Sequence, residues 1–274
     1  MCRWLAYSGD PIRLEELLFE PKDNLIDQSM SSRSAETPTN GDGFGVGWYG
    51  KREVPGLFHS IRPAWNDLNL RDLAANIESP LFMAHVRATS LTTVQETNCH
   101  PFRYKNWLFV HNGEIFEIKN FRRDLLMAVD PQYFENILGS TDSELMFHLA
   151  LSFGLEKDPV NAMAKMVGFV EHTGKKYDVP ESMWMTVGIS DGKTLWCFRY
   201  ASDGQAPTLY HSRSMEEMAK INPNIKGRLS DKARCVVSEP VGKYPSLWME
   251  ILQSSVMTLS EGNLDVKPFH PVLF

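Results

Sequence analysis

The sequence has 274 residues, 43% of them hydrophobic, which is ample for a substantial core in one large domain or two small ones. A net charge of −6, with no Lys/Arg run longer than Lys175-Lys176, leaves no electrostatic footprint for nucleic acid or an anionic membrane, so small-molecule or protein partners are expected. No apolar run approaches the roughly 18 residues of a membrane span. The cysteines Cys2, Cys99, Cys197 and Cys235 lie far apart without a CxxC pair or a secretory leader, which points to a reducing, cytoplasmic setting.

In chain order, residues 2–7 alternate as a half-buried strand, with Cys2, Trp4 and Ala6 on one face and Arg3, Leu5 and Tyr7 on the other. Residues 14–19 read as a helical turn or two, and the polar, Ser-rich stretch 24–40 as a long loop of the kind that often carries function. Residues 40–49 read as a strand with Phe44, Val46 and Trp48 on one face and only glycine on the other. Such a bare face admits a second backbone or a ligand. Its GxGxG lies inside a strand instead of opening a helix, so it is not a dinucleotide fingerprint. Helical spacing follows at 67–77, and 81–88 is apolar enough for a strand covered on both faces that delivers Arg87. Residues 107–111 and 114–118 are strand-like and joined by Asn112-Gly113, the strongest short hairpin signal. Helices are predicted at 121–129, 145–153 and 159–172, then strands at 184–190, 193–200, 208–211, 234–237 and 254–259, the first two joined by a turn at Asp191-Gly192. The order of strands, helices, then strands argues for α+β with mainly antiparallel sheet. With no repeat or linker, 1–274 is expected to be a single domain. The apolar tail 266–274 either docks on its own core or makes a subunit contact.

The chemistry-bearing residues each allow two readings. Cys2 is either an incidental thiol at a frayed end or, once Met1 is removed, a terminal nucleophile with its own base, because an α-amine titrates near about 8 whereas a lysine amine does so near about 10.4. Asn112-Gly113 makes a type I′ turn, a fixed pair of donors for a tetrahedral oxyanion, or both. Arg87 pairs with a core carboxylate or receives a substrate α-carboxylate. Thr141-Asp142-Ser143-Glu144 is a capping box, with Thr141 as N-cap and Glu144 at N3, and the Asp142 carboxylate is free to receive an α-ammonium.

Taken together, Met1-Cys2, Asp42-Gly43, His85-Val86-Arg87-Ala88-Thr89, Asn98-Cys99-His100-Pro101-Phe102, His111-Asn112-Gly113-Glu114 and Thr141-Asp142-Ser143-Glu144 resemble the class II glutamine amidotransferases, which are N-terminal-nucleophile hydrolases. The opening residues and the glycine-faced strand are most similar to the stand-alone YafJ-type branch, which includes ergothioneine-pathway γ-glutamyl hydrolases and glutathione-degrading amidotransferases. The resemblance implies a four-layer αββα sandwich and hydrolysis of a γ-glutamyl amide through a thioester on Cys2. It implies an oxyanion hole at Asn112 and Gly113, and a substrate clamp of Arg87 and Asp142. Thr89 adds a hydrogen bond to the carboxylate, in a stretch where the family's Arg-Trp-Ala-Thr-His is shortened to Arg87-Ala88-Thr89-Ser90. No cofactor or metal is implied. The chain ends too soon for an ammonia-consuming synthase domain, so either hydrolysis is the purpose or a separate acceptor enzyme takes the ammonia; a homo-oligomer is compatible with both. The stretch 24–40 is expected to wall an open cleft.

Two rivals remain at this level. One is a metal enzyme using Cys99, His100, His85 and His111, which lack the CxxC or HxxxH spacing that sets ligands on one element. The other is a catalytically silent regulatory protein that keeps Arg87 and Asp142 as an amino-acid clamp.

Overall fold

In the computed structural model residues 2–31, 39–88, 92–222 and 229–274 are described. Two antiparallel sheets lie face to face with helices on both outer surfaces, the αββα arrangement. The first sheet is built from β1 (Arg3–Arg13), β2 (Phe44–Trp48), β3 (Gly56–Ser60), β4 (Glu78–Val86), β9 (Tyr210–Ser212), β10 (Arg234–Val237) and β11 (Trp248–Glu250), in the order β11-β9-β10-β1-β4-β2-β3. The second holds β5 (Phe102–Tyr104), β6 (Trp107–Ile115), β7 (Met183–Ser190), β8 (Thr194–Ala201), β12 (Ser255–Ser260) and β13 (Asn263–Pro268), in the order β13-β12-β8-β7-β6-β5.

Alternation along each strand divides the core into three layers. Trp4 and Ala6 of β1 and Met83 of β4 face Leu108 and Val110 of β6, Cys197 of β8 and Met257 of β12 between the sheets. Leu5 and Tyr7 face outward, under α1 (Glu15–Leu18), α2 (Leu25–Met30) and α3 (Leu68–Asn76). The first strand is therefore buried on both faces, not half-buried, because β10 and β4 flank it and helices cover its outer side. On the far side, α4 (Arg122–Met127), α5 (Pro131–Phe134), α6 (Asp142–Ser152) and α7 (Pro159–Lys176) cover the second sheet. A last short helix, α8 (Met215–Ile221), opens with a complete capping box between Ser214 and Glu217.

Two expectations need correction. Asn112-Gly113 is not a turn: β6 runs unbroken through it, Asn112 opposite Thr186 and Gly113 opposite Met185 of β7. The chain leaves the sheet later, at Phe116 and Glu117, where Glu117 has a φ of 49°. Stretch 24–40 is not wholly loop, since the Asn24 side chain accepts from Asp27 N at 2.9 Å and caps α2; residues 32–38 lie outside the described residues. The tail docks on its own core, Val272 N donating to Ala164 O at 2.9 Å and Phe274 packing on Phe153 and Phe169. Among the described residues no helix is long and apolar enough to cross a membrane.

Candidate active site

Because β1 runs antiparallel beside β4, with Arg3 opposite Val86, Cys2 comes to rest next to the residues that follow β4. Its Sγ lies 3.4 Å from both the carbonyl oxygen and the amide nitrogen of Ala88, donating to one and accepting from the other. Burial pushes the thiol up from its ordinary range; the Ala88 N–H and the Arg87 cation oppose this, and the Asp142 carboxylate adds to it. Cys2, Arg87, Gly113 and Asp142 line one cleft of about 330 Å³.

Arg87 is buried, with Nη2 donating to Thr92 Oγ1 at 2.6 Å and to Thr93 O at 3.3 Å, and Nη1 to Asp42 O at 3.3 Å. These acceptors are a hydroxyl and two backbone carbonyls, not the carboxylate of the alternative reading, and the cleft is where the Arg87 charge can be matched. Thr92 and Thr93 went unnoticed in the sequence, where a Thr-Thr pair in a polar segment carries no signal of its own.

Asp142 is the first residue of α6. Thr141 Oγ1 accepts from Glu144 N at 3.1 Å as predicted, yet the Glu144 carboxylate turns to Leu138 N and Gly139 N, at 2.9 and 2.7 Å, so only half of the capping box forms. The Asp142 carboxylate accepts from Ile115 N at 2.9 Å and Ser143 N at 2.7 Å. These bonds fix its orientation and leave lone pairs for a cation.

From the second sheet, β6 brings Asn112 and Gly113. Gly113 has a φ of 142°, and a Cβ there would overlap the Trp184 carbonyl and stand 2.8 Å from His111 Nε2, so only glycine fits. Asn112 is buried one residue away and does not itself line the cleft; its Oδ1 has no hydrogen-bond partner among the described residues. Thr89 lies outside the described residues. The described part of 24–40 is likewise absent from the cleft wall, because α2 packs beneath the outer face of the first sheet.

Three buried imidazoles adjoin the cleft, with His100 and His111 in its lining. His85 Nε2 donates to His111 O at 3.2 Å, and its ring stacks on that of His100 at 4.1 Å. His111 Nδ1 lies 2.8 Å from Ser143 Oγ, which in turn donates to Asp142 Oδ1 at 3.2 Å. Burial lowers the pKa of all three rings, that of His85 to about 3, so they are neutral near pH 7. The glycine face of β2 receives a backbone, not a ligand: a Cβ on Gly45 would overlap the His100 carbonyl. Among the described residues no three His, Cys, Asp or Glu side chains converge as metal ligands, so the geometry lends no support to the rival metal set of Cys99, His100, His85 and His111.

Comparison with known proteins identifies the family. The family described as "Glutamine amidotransferases class-II" matches residues 23–266, a span that begins after Cys2. A Saccharomyces cerevisiae protein described as "Probable glutamine amidotransferase DUG3" is 33% identical over 98% of this chain and 84% of its own. The gamma-glutamyl-hercynylcysteine sulfoxide hydrolase of Mycolicibacterium smegmatis is 30% identical over 115 residues, 41% of this chain and 51% of that one. Among solved structures, a glutamine aminotransferase class-II domain protein from Silicibacter pomeroyi is 32% identical with a TM-score of 0.74, over 98% of this chain and 100% of that one. Glutamine phosphoribosylpyrophosphate amidotransferase from B. subtilis, 11% identical, shares the fold at a TM-score of 0.62 over 100% of this chain and 50% of its own.

Proposed function

The chain belongs to the class II glutamine amidotransferases, and from that premise we propose that it hydrolyses γ-glutamyl amides through a thioester on Cys2. The observation that carries the reading is the convergence of Cys2, Arg87, Gly113 and Asp142, from two sheets and a helix N-terminus, on one cleft. In this reading the active chain begins at Cys2. Its α-amine, titrating near about 8, takes the thiol proton, and Sγ attacks the γ-carbonyl carbon. The oxyanion accepts from Asn112 Nδ2 and the Gly113 N–H. As the C–N bond breaks, the amine returns the proton to the leaving nitrogen, and water then cleaves the thioester to release glutamate and the free thiol. Arg87 holds the substrate α-carboxylate and Asp142 the α-ammonium.

Several features support the reading beyond the site. The Mycolicibacterium relative is itself named as a γ-glutamyl hydrolase. All four cysteines are free thiols, which suits a reducing, cytoplasmic setting. We take 1–274 as one catalytic domain. The test is kcat/KM for glutamine against γ-glutamyl amides and peptides, with Cys2→Ala as the blank. Turnover of substituted amides by the protein alone is expected. Preference for glutamine by a wide margin, with turnover rising only on addition of a second protein, would replace hydrolysis with ammonia supply. No Cys2-dependent turnover or labelling would leave the silent regulatory protein.

A further inference from the structure

Asn98 opens the motif Asn98-Cys99-His100-Pro101-Phe102 but does not line the cleft; its side chain is fully buried and hydrogen-bonded at both ends of the amide. Nδ2 donates to Thr93 O at 2.9 Å and to Ser140 Oγ at 3.1 Å, and Oδ1 accepts from Ser140 N at 2.8 Å. Thr93 O is the carbonyl that also accepts from Arg87 Nη2, and Ser140 stands two residues before Asp142. The Asn98 amide thus joins the segment that holds Arg87 to the turn that leads into α6. We propose that Asn98 is a positioning residue that sets the spacing of Arg87 and Asp142, and with it the affinity of the cleft for the α-carboxylate and α-ammonium of the glutamyl group.

The inference rests on the reading of Arg87 and Asp142 as an amino-acid clamp and adds a residue to it. A free α-amino acid carries both charges on one carbon, so guanidinium and carboxylate must stand at a fixed separation to pair with them in good geometry. The two share neither an element nor a sheet: Arg87 follows β4 of the first sheet, and Asp142 begins α6, which covers the second. Thr92 and Thr93, the acceptors of Arg87 Nη2, belong to a segment outside both sheets in which Thr93, Val94, Glu96 and Thr97 are exposed. Asn98 anchors that segment. The turn before α6 is held from both sides, by Asn98 at Ser140 and by the Glu144 carboxylate at Leu138 N and Gly139 N. The junction is tight, since a Cβ on Gly139 would overlap Asn98 Oδ1 and the Thr97 carbonyl oxygen. An amide is the group that fits it: the NH2 meets two oxygens, Thr93 O and Ser140 Oγ, and the oxygen meets an N–H.

The experiment uses the Met1-processed full chain. For Asn98→Ala, KM for glutamine and the Kd of glutamate measured by calorimetry should both rise by about tenfold, the scale of one weakened hydrogen bond to a charged group, while kcat largely holds. Alkylation of Cys2 by a glutamine-like diazoketone that carries both α charges, read by intact mass, should slow in step. Alkylation by iodoacetamide, which carries neither charge, should not. Gly139→Ala keeps every hydrogen-bonding group of the junction and only wedges it apart, so it should show the same pattern, and it carries the test if Asn98→Ala does not fold. Unchanged KM and Kd would overturn the proposal. A fall in kcat together with equal slowing of both alkylations would make Asn98 a packing residue and overturn it as well. Wild-type turnover, with Cys2→Ala as the blank, tests the thioester reading by itself: a chain that turns nothing over but binds glutamate more weakly as Asn98→Ala keeps the clamp and loses the hydrolase.

Discussion

At Cys2 the nucleophile and the base of the proposed reaction share one residue, so the state of the residue before it decides everything. Protein that retains Met1 carries an amide where the base should be, and is expected to be inactive. Intact mass measured on active and inactive fractions checks this; full activity with Met1 retained would end the terminal-amine mechanism. Asn112 and Arg87 should separate kinetically. Asn112→Ala removes a donor to charge that exists only in the transition state, so kcat should fall by about 100- to 1000-fold with KM little changed. Arg87→Met removes a partner that ground and transition states share, so KM should rise while kcat largely holds. Steady-state kinetics with one γ-glutamyl substrate decides both, and a pure KM effect at Asn112 would remove it from the oxyanion hole.

At the level of elements, local patterns were legible wherever burial and spacing agreed. The glycine-faced strand at 44–48, the buried strand ahead of Arg87 and the helix behind Thr141 all appear in the fold. Asn112-Gly113 misled because its turn propensity is a local preference, whereas ladder pairing with Thr186 and Met185 is imposed from more than 70 residues away. The edge strands β3, β5, β11 and β13 were missed for a related reason: three to six residues with partly exposed faces have little periodicity to read. Of the cleft, Cys2, Arg87, Gly113 and Asp142 stand in motifs legible in the sequence; His85, His100 and His111 were grouped there only as metal ligands, and the stacking of the His85 and His100 rings was not legible, since they come from separate segments. Two variants probe how elements set the site. Thr141→Ala removes the α6 N-cap at a cost of about 1 kcal/mol, and the thermal midpoint should fall by about 2–4 °C. Gly45→Ala sets a Cβ against the His100 carbonyl, where neither backbone can yield without moving β2 or the His100 segment. It should lower the thermal midpoint by more than Thr141→Ala does, and an unchanged midpoint would show that the two backbones can part without cost.

For the whole molecule, the burial of the three imidazoles at the cleft makes stability depend on pH. His85, His100 and His111 are 1%, 4% and 1% exposed, and burial holds each below its ordinary pKa, His85 at about 3. In the unfolded chain each binds a proton as pH falls through about 6.5, while the folded protein does not. The unfolded state therefore holds more protons in that range, so stability is fully present above about pH 6.5 and is lost progressively on acidification, for His85 down to about pH 3. Each such proton contributes a slope of about 1.4 kcal/mol per pH unit once the unfolded histidine is fully charged. Urea unfolding at pH 7.5, 6.0 and 5.0 should show falling free energies. His85→Gln lowers stability at every pH by disturbing the stack, but its slope below pH 6 should be shallower than wild type by about one proton's worth. A slope unchanged by His85→Gln would mean that the buried ring takes up its proton in the folded state, and that acid sensitivity arises elsewhere.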